Sequence, residues 1–292
     1  MKGKGDMKLA TFSTGGGTRL GVIRGDRIID LDAPGGPSTM LELIQAGPPA
    51  WAGIEGRSRE GDAASFPLGS VRLLAPLPNP PKIVAIGLNY MDHCREQNMP
   101  VPDRPLVFAK FSSSIIGPGD DIVWDPALTR QVDYEAELGV VIGRRARRVS
   151  VERALDHVFG YTIVNDVSAR DLQFPDKQWV RGKSLDTFCP LGPFIVTADE
   201  IPDPQALAIK CRVNGRYLQN SSTSEMIFGV RELIARLSQS FTFEPGDLIA
   251  TGTPDGVGVF RKPPVFLQDG DTVVVEIEGL GQLENRARTV TF

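Results

Sequence analysis

Four prolines fall within six residues, Pro76-Leu77-Pro78-Asn79-Pro80-Pro81. Each locks φ and removes a backbone N–H donor, so neither a helix nor a central strand can run through the segment. It reads as an extended connector dividing the 292 residues into a small N-terminal domain, 1–75, and a larger domain, 76–292.

Ahead of the connector, from Lys8 to Leu31, the β-prone pieces LATFS, RLGVIRG and DRIIDLD are cut by glycine turns and predict a small antiparallel meander. Met40–Gln45 predicts one short helix. MKLATFS, from Met7, reads as an ordinary start, which makes Met1–Asp6 an extension. Beyond the connector, Lys82–Leu88 predicts an apolar strand, and Asn89 is a candidate N-cap for a helix through His93 and Glu96 that Pro100 stops. Further strands are expected near Asp133–Gly143, Gly160–Asn165, Pro193–Thr197, Ala208–Val213, Asp247–Thr251 and Thr272–Ile277, with helices over Val151–His157 and Ile227–Ser238 and little else. Strands outnumber helices and do not alternate regularly with them. That disfavours a doubly wound parallel sheet and favours a β-rich α+β architecture.

Composition narrows the partners. Lys plus Arg number 32 and Asp plus Glu 36, so the net charge is 32 − 36 = −4. The chain as a whole lacks the basic footprint of a nucleic-acid or anionic-membrane binder, and small molecules are the expected partners. Cys94, Cys189 and Cys211 are widely spaced, form no CxxC, and have only His93 and His157 to join them, which argues against both a Cys/His zinc site and a disulfide framework. No apolar run approaches the ~18 residues of a membrane span and no secretory h-region follows Met1, so the expected compartment is the cytoplasm.

The most informative stretch is Asp133-Tyr134-Glu135-Ala136-Glu137, which leads into the apolar LGVVIG. Residues two apart on a strand share a face, so Glu135 and Glu137 project together. Two neighbouring carboxylates are stable on the solvent face of an edge strand, or near a core if one is protonated or a hard cation compensates them. Asp166 ends another apolar strand, YTIVN, and adds a third carboxylate, or else caps the following turn. Three carboxylates without a His/Cys cluster suit Mg²⁺, Mn²⁺ or Ca²⁺. His93 and Glu96, at i and i+3, share a helical face, where the carboxylate would raise the basicity of the imidazole and fix its tautomer; a plain surface contact is the alternative. After Asp166 come Arg170, Gln173, Arg181 and Lys183, cations and an amide able to hold an anionic substrate; surface pairing is the preferred reading for Arg181. The glycines of Thr251–Gly258 let backbone N–H groups and Thr253 approach a ligand carboxylate, or simply form a turn. The basic run Arg144–Arg148 reads as a solvated turn.

Seven motifs, IGLNYMDHCRE, LVFAKF, DYEAELGVVIG, NDVSARDLQ, RGKSLDTFCPLGP, NGRYLQNSSTSEMIF and GDLIATGTPDGVG, closely resemble, in order and spacing, the fumarylacetoacetate hydrolase family over Lys82–Phe292. The resemblance implies a mixed β-sandwich roll catalytic domain behind a small N-terminal α/β domain, a homodimer, and Mg²⁺ or Mn²⁺ acting with a 2-oxo acid. By position it implies Glu135, Glu137 and Asp166 as metal ligands and Lys183 beside the metal, holding substrate oxygen. His93 and Glu96 would be the water-activating pair on a segment that orders over substrate. Gln173 and Thr253 would be substrate contacts, supported by Arg170 and Lys110.

A 2-oxo acid can chelate one cation through its carboxylate and carbonyl oxygens, and the cation stabilises the enolate formed when the bond to C3 breaks. With both His93 and Glu96 present, the expected activity is hydrolysis of a C–C bond in acylpyruvate-type 1,3-diketo acids. Decarboxylation of oxaloacetate-like acids and isomerisation or hydration of 2-hydroxy-dienedioates are the alternatives within the same site. A non-catalytic module with a structural cation is the alternative outside it.

Overall fold

The computed structural model describes residues 7–31, 36–57 and 63–291; the Met1–Asp6 extension lies outside them. The N-terminal part opens with β1 (Lys8–Ser13), β2 (Thr18–Arg24) and β3 (Arg27–Asp30), the antiparallel meander expected from the turns. It continues with α1 (Met40–Gln45), α2 (Pro48–Arg57), β4 (Ser65–Pro67) and β5 (Arg72–Leu74). Thr39 caps α1 by accepting the Glu42 N–H.

Past the proline run come β6 (Ile83–Gly87), α3 (Met91–Gln97), β7 (Leu106–Lys110), β8 (Ile115–Ile116), β9 (Asp121–Trp124), β10 (Val132–Asp133), β11 (Ala136–Ile142), β12 (Val158–Asn165) and β13 (Ser168–Ala169). Then follow α4 (Arg170–Asp176), α5 (Val180–Lys183), β14 (Cys189–Thr197), β15 (Ala208–Val213), β16 (Arg216–Ser222), α6 (Val230–Ser240), β17 (Leu248–Ala250), β18 (Thr272–Ile277) and β19 (Gly281–Thr289). One large mixed sheet runs β4-β3-β2-β1-β14-β12-β11-β17-β6-β7, and a second runs β16-β15-β18-β19-β9. The large sheet crosses the proline run, because β1 pairs with β14.

β11 and β12 are buried along their whole length, which explains their nearly unbroken apolar sequence. Alternation splits their side chains between two cores. Leu138, Val140 and Ile142 pack with Ile209, Cys211 and Val275 of the second sheet, while Val141 and Val164 pack with Leu43 and Ile44 of α1 on the other face. No helix among the described residues is long and apolar enough to cross a membrane.

Several local expectations change. Val151–His157 is not an α-helix: it is a turn followed by a short 3₁₀ segment, Ala154–His157. Asn89 does not cap α3; Tyr90 occupies that position, and the Asn89 side chain is buried, donating to the carbonyls of Phe228 and Thr251 and accepting the Phe228 N–H. A buried amide that ties two loops contributes more there than one frayed helix turn would gain. The basic run does more than face water, because Arg147 donates to the Ser238 and Gln239 carbonyls at the C-terminus of α6.

Candidate active site

The site forms where β11 begins and β12 ends, next to the loop after β17. β11 lies between β12 and β17, so the edge-strand reading of the glutamates is overturned. The strand is also interrupted: Tyr134 and Glu135 lie between β10 and β11, where the Asn165 side chain accepts the Glu135 N–H at 3.0 Å and the Glu135 carbonyl accepts the Asp166 N–H at 2.9 Å. This cross-link brings the two chain segments together, and carboxylate oxygens of Glu135, Glu137 and Asp166 lie within 4.8 Å of one another, all three residues buried.

Cations compensate the trio unequally. The Lys183 ammonium donates to Glu135 Oε2 at 2.7 Å and Asp166 Oδ2 at 2.8 Å. Arg170 pairs with Asp133 at 2.8 Å and Glu135 at 2.7 Å. Burial opposes ionisation of Glu135, yet Lys183 and Arg170 together hold its carboxyl below the usual range. Burial likewise disfavours the Lys183 ammonium, but Asp166 and Glu135 keep it charged, with a pKa above its ordinary value. Glu137 differs: burial, then the charges of Asp166 and Glu135, push its carboxyl well above the usual range, and the Gly252 N–H at 3.0 Å is its hydrogen bond among the described residues.

Lys110 is placed otherwise than expected. It does not line the cavity; its fully buried ammonium sits behind Asp166, donating to Oδ1 at 2.6 Å and to the Val167 and Lys183 carbonyls. It is the last residue of β7, and its amine reaches the exit of β12. Arg181, read as a surface residue, pairs with Asp176.

Of the two expectations for Thr251–Gly258, a cradle for a ligand carboxylate or a plain turn, neither describes its amides, which hold the protein's own carboxylates. Gly252 N–H donates to Glu137, Gly256 N–H to Glu96 Oε1 at 2.9 Å, and Gly258 N–H to Asp133 Oδ1 at 2.7 Å. Gly256 has φ +92°, and a Cβ there would run into the Leu218 carbonyl, so glycine is required on both counts. Asp133, which the sequence reading passed over, also accepts from Val259 N–H and Arg170 Nε, and so joins this loop to the cation side.

A cavity of about 150 Å³ opens beside the trio, lined by His93, Glu135, Glu137, Arg170, Gln173, Lys183 and Thr253, with apolar walls from Phe108, Trp179 and Phe260. His93 Nδ1 is 3.0 Å from Glu96 Oε2, and its ring meets Phe260 edge-on at 5.9 Å. Nδ1 is therefore committed to Glu96 and Nε2 is the nitrogen left for chemistry. The polar lining is tuned to donate. Gln173 Oε1 accepts from Arg170 and Thr253 Oγ1 accepts from Gln219, so among the described residues the Gln173 NH₂ and the Thr253 hydroxyl hydrogen remain to donate. Lys183 has placed two of three N–H donors, leaving one. The lining suits a ligand rich in anionic oxygen.

The trio itself fits a divalent ion. Its donors are all carboxylate oxygens, which suits a hard cation, and Glu137 is a buried carboxylate without a cationic partner in hydrogen-bond reach among the described residues. Addition of Mn²⁺ or Mg²⁺ at 100 times Kd is expected to stabilise the fold by about 2.7 kcal/mol. For a chain of this size that is a rise in Tm of about 4–5 °C, reversed by EDTA. No shift at millimolar Mn²⁺ would contradict the fit.

The cavity brings donors suited to anionic oxygen together with an acidic trio suited to a hard cation, the layout of an enzyme site. The chain belongs to the fumarylacetoacetate hydrolase family: residues 82–288 match the family model "Fumarylacetoacetate (FAA) hydrolase C-terminal", and residues 7–76 match "Rv2993c-like, N-terminal". Members of this family are metal-dependent hydrolases, isomerases or lyases. The chain is 48% identical over 289 residues to the oxaloacetate tautomerase FAHD2B, mitochondrial, of Bos taurus, covering 96% of this chain and 91% of that protein. Among solved structures, a fumarylacetoacetate hydrolase from Exiguobacterium antarcticum is 43% identical with a TM-score of 0.86, covering 97% of this chain and all of the other. A maleylpyruvate hydrolase from Sphingobium sp. SYK-6, in complex with manganese(II) and pyruvate, is 35% identical with a TM-score of 0.82, covering 98% of this chain and all of the other.

Proposed function

We infer that this chain interconverts the enol and keto forms of a small 2-oxo diacid, with oxaloacetate as the substrate. The observation that carries the reading is His93, with Nδ1 held by Glu96, set inside a cavity of about 150 Å³ beside the acidic trio. A volume of about 150 Å³ is roughly the bulk of benzene. A four-carbon diacid is of that order, and an eight-carbon diketo diacid is not. The names of the relatives that match nearly the whole chain support the same substrate.

Tautomerisation moves one proton to or from C3 and one to or from the 2-oxygen, and no other atom enters or leaves. A divalent cation held by Glu135, Glu137 and Asp166 supplies Lewis-acid polarisation of the 2-oxygen when bound. His93 Nε2 exchanges the proton at C3, the proton of the 2-oxygen is exchanged with water, which also restores the imidazole, and Glu96 keeps the imidazole in the tautomer that reacts. The remaining Lys183 N–H, the Thr253 hydroxyl and the Gln173 amide hold the carboxylate and 2-oxygen, fixing the plane in which C3 faces His93.

Hydrolysis of acylpyruvates is the second reading, favoured by the same His93–Glu96 pair, which could equally take a proton from water attacking a distal carbonyl. The deciding experiment follows the ultraviolet absorbance of enol-oxaloacetate, CO₂ release, and pyruvate release from acylpyruvates, each with Mg²⁺ or Mn²⁺. Loss of the enol signal well above the uncatalysed rate, without CO₂ or pyruvate, supports the tautomerase. Pyruvate release from acylpyruvates with no acceleration of enol decay replaces it with the hydrolase, and CO₂ release with the decarboxylase. The reading includes a homodimer, supported by exposed Leu106 and Val107 on β7, the last strand of the large sheet; sedimentation at micromolar concentration tests it.

A further inference from the structure

Gly87, the last residue of β6, lines the cavity, and a Cβ there would collide with the ring of Trp179. The indole therefore rests against bare backbone. Its outer side meets Phe108 edge-on, with ring centroids 5.3 Å apart, and the Phe108 ring lies 5.2 Å from the Lys183 ammonium. Gly87, Trp179, Phe108 and Lys183 all line the cavity. They form a continuous wall running from a bare backbone position to the amine that grips Glu135 and Asp166.

Such a wall has two physical consequences. Trp179 is the largest side chain in the cavity lining, so its removal enlarges the space more than any other single truncation there. It is also held only by packing, on Gly87 and Phe108: no hydrogen bond of its indole N–H is recorded among the described residues, whereas its neighbours in the lining, His93, Arg170, Gln173 and Lys183, are tied into the polar network. The position can therefore change size without disturbing the charges around the trio.

We propose that Trp179, seated on Gly87 and braced by Phe108, is the specificity-determining residue that limits the length of the 2-oxo acid this site accepts. The inference rests on the 2-oxo acid reading above and adds the feature that sets chain length. Wild type takes three- to five-carbon acids, and the ring blocks longer tails. Shortening the ring opens an apolar channel along Phe108 and Leu106.

The test uses binding, so that it does not depend on turnover. Straight-chain 2-oxo acids from pyruvate to 2-oxooctanoate are added to wild type, Trp179→Ala and Trp179→Phe in saturating Mn²⁺, and the ligand-induced Tm shift is read. In wild type the shift is expected to collapse beyond five carbons, by at least tenfold in apparent Kd. In Trp179→Ala it is expected to persist to seven or eight carbons, with pyruvate affinity within about threefold of wild type, and Trp179→Phe should fall between. Gly87→Ala, which pushes against the ring, should weaken every acid, and adding Trp179→Ala should restore binding. If pyruvate produces no shift in wild type, the 2-oxo acid reading fails. If pyruvate binds but the cutoff is the same in wild type and Trp179→Ala, the wall inference fails. Equal loss of all acids in a Trp179→Ala protein that keeps the Mn²⁺-induced Tm shift also overturns it.

Discussion

Glu135→Gln and Glu137→Gln are each expected to reduce activity to background and to abolish the stabilisation by divalent cations, yet to move the stability of the metal-free protein in opposite directions. Glu135 is the shared anion of Lys183 and Arg170, so neutralising it leaves two buried cations short of a partner. Breaking a buried pair on one side costs about 3–5 kcal/mol, and since both cations keep a second carboxylate the lower end applies, a fall in Tm of about 5 °C. Glu137 is the reverse case, a buried carboxylate crowded by Asp166 and Glu135, and the neutral amide removes that repulsion. Metal-free Glu137→Gln should therefore melt above metal-free wild type.

The pH dependence carries the same signs. Glu135 is held below its ordinary 4.5, so its contribution to stability is present above that pH and is lost as pH falls toward about 2. Glu137 is raised above 4.5, so its contribution is present below that pH and is lost as pH rises through its folded value. The stability gap between Glu137→Gln and metal-free wild type should thus widen from pH 4.5 toward neutrality. Differential scanning fluorimetry with and without EDTA measures all of this. Equal destabilisation by both substitutions would show that the two glutamates are not electrostatically distinct.

His93→Gln is expected to lower kcat by 10²- to 10⁴-fold, the usual contribution of a positioned general base, with the Mn²⁺-induced Tm shift intact. The imidazole touches none of the cation-facing carboxylates by hydrogen bond, and its link runs to Glu96 and, through Glu96, to Gly256. Glu96→Gln should cost less, because it releases the imidazole without removing it. Steady-state kinetics on the active substrate beside Mn²⁺ titration separates the two effects. Near-normal kcat in His93→Gln would move the proton transfer to another group.

The strands and the acidic trio were readable because their signals are local. Apolar runs bounded by turn residues mark β6, β12, β15 and β18, and the Glu-x-Glu spacing with Asp166 at a strand exit marks the carboxylates. Asn89 misled because a helix-capping residue type is also one that bridges buried loops, and the choice depends on Phe228 and Thr251, more than a hundred residues away. Val151–His157 misled because a single short apolar pattern cannot separate an α-helix from a turn with a 3₁₀ end. Asp133 could have been found, since it stands in the same motif as the glutamates, but nothing local shows that its partners are Arg170, Gly258 and Val259.

The sequence by itself determined which side chains can do chemistry here, that three of them are hard-oxygen donors, and which segments present them, because residue type and short-range periodicity carry that information. Only the tertiary structure decided which carboxylate is paired and which is left for a cation, that Lys110 stands behind Asp166, and that the glycine loop serves Glu137, Glu96 and Asp133. Those outcomes depend on distances between residues far apart in the chain, such as the Gly252 N–H and the Glu137 carboxylate, and on burial, which turns small differences in charge surroundings into opposite protonation preferences.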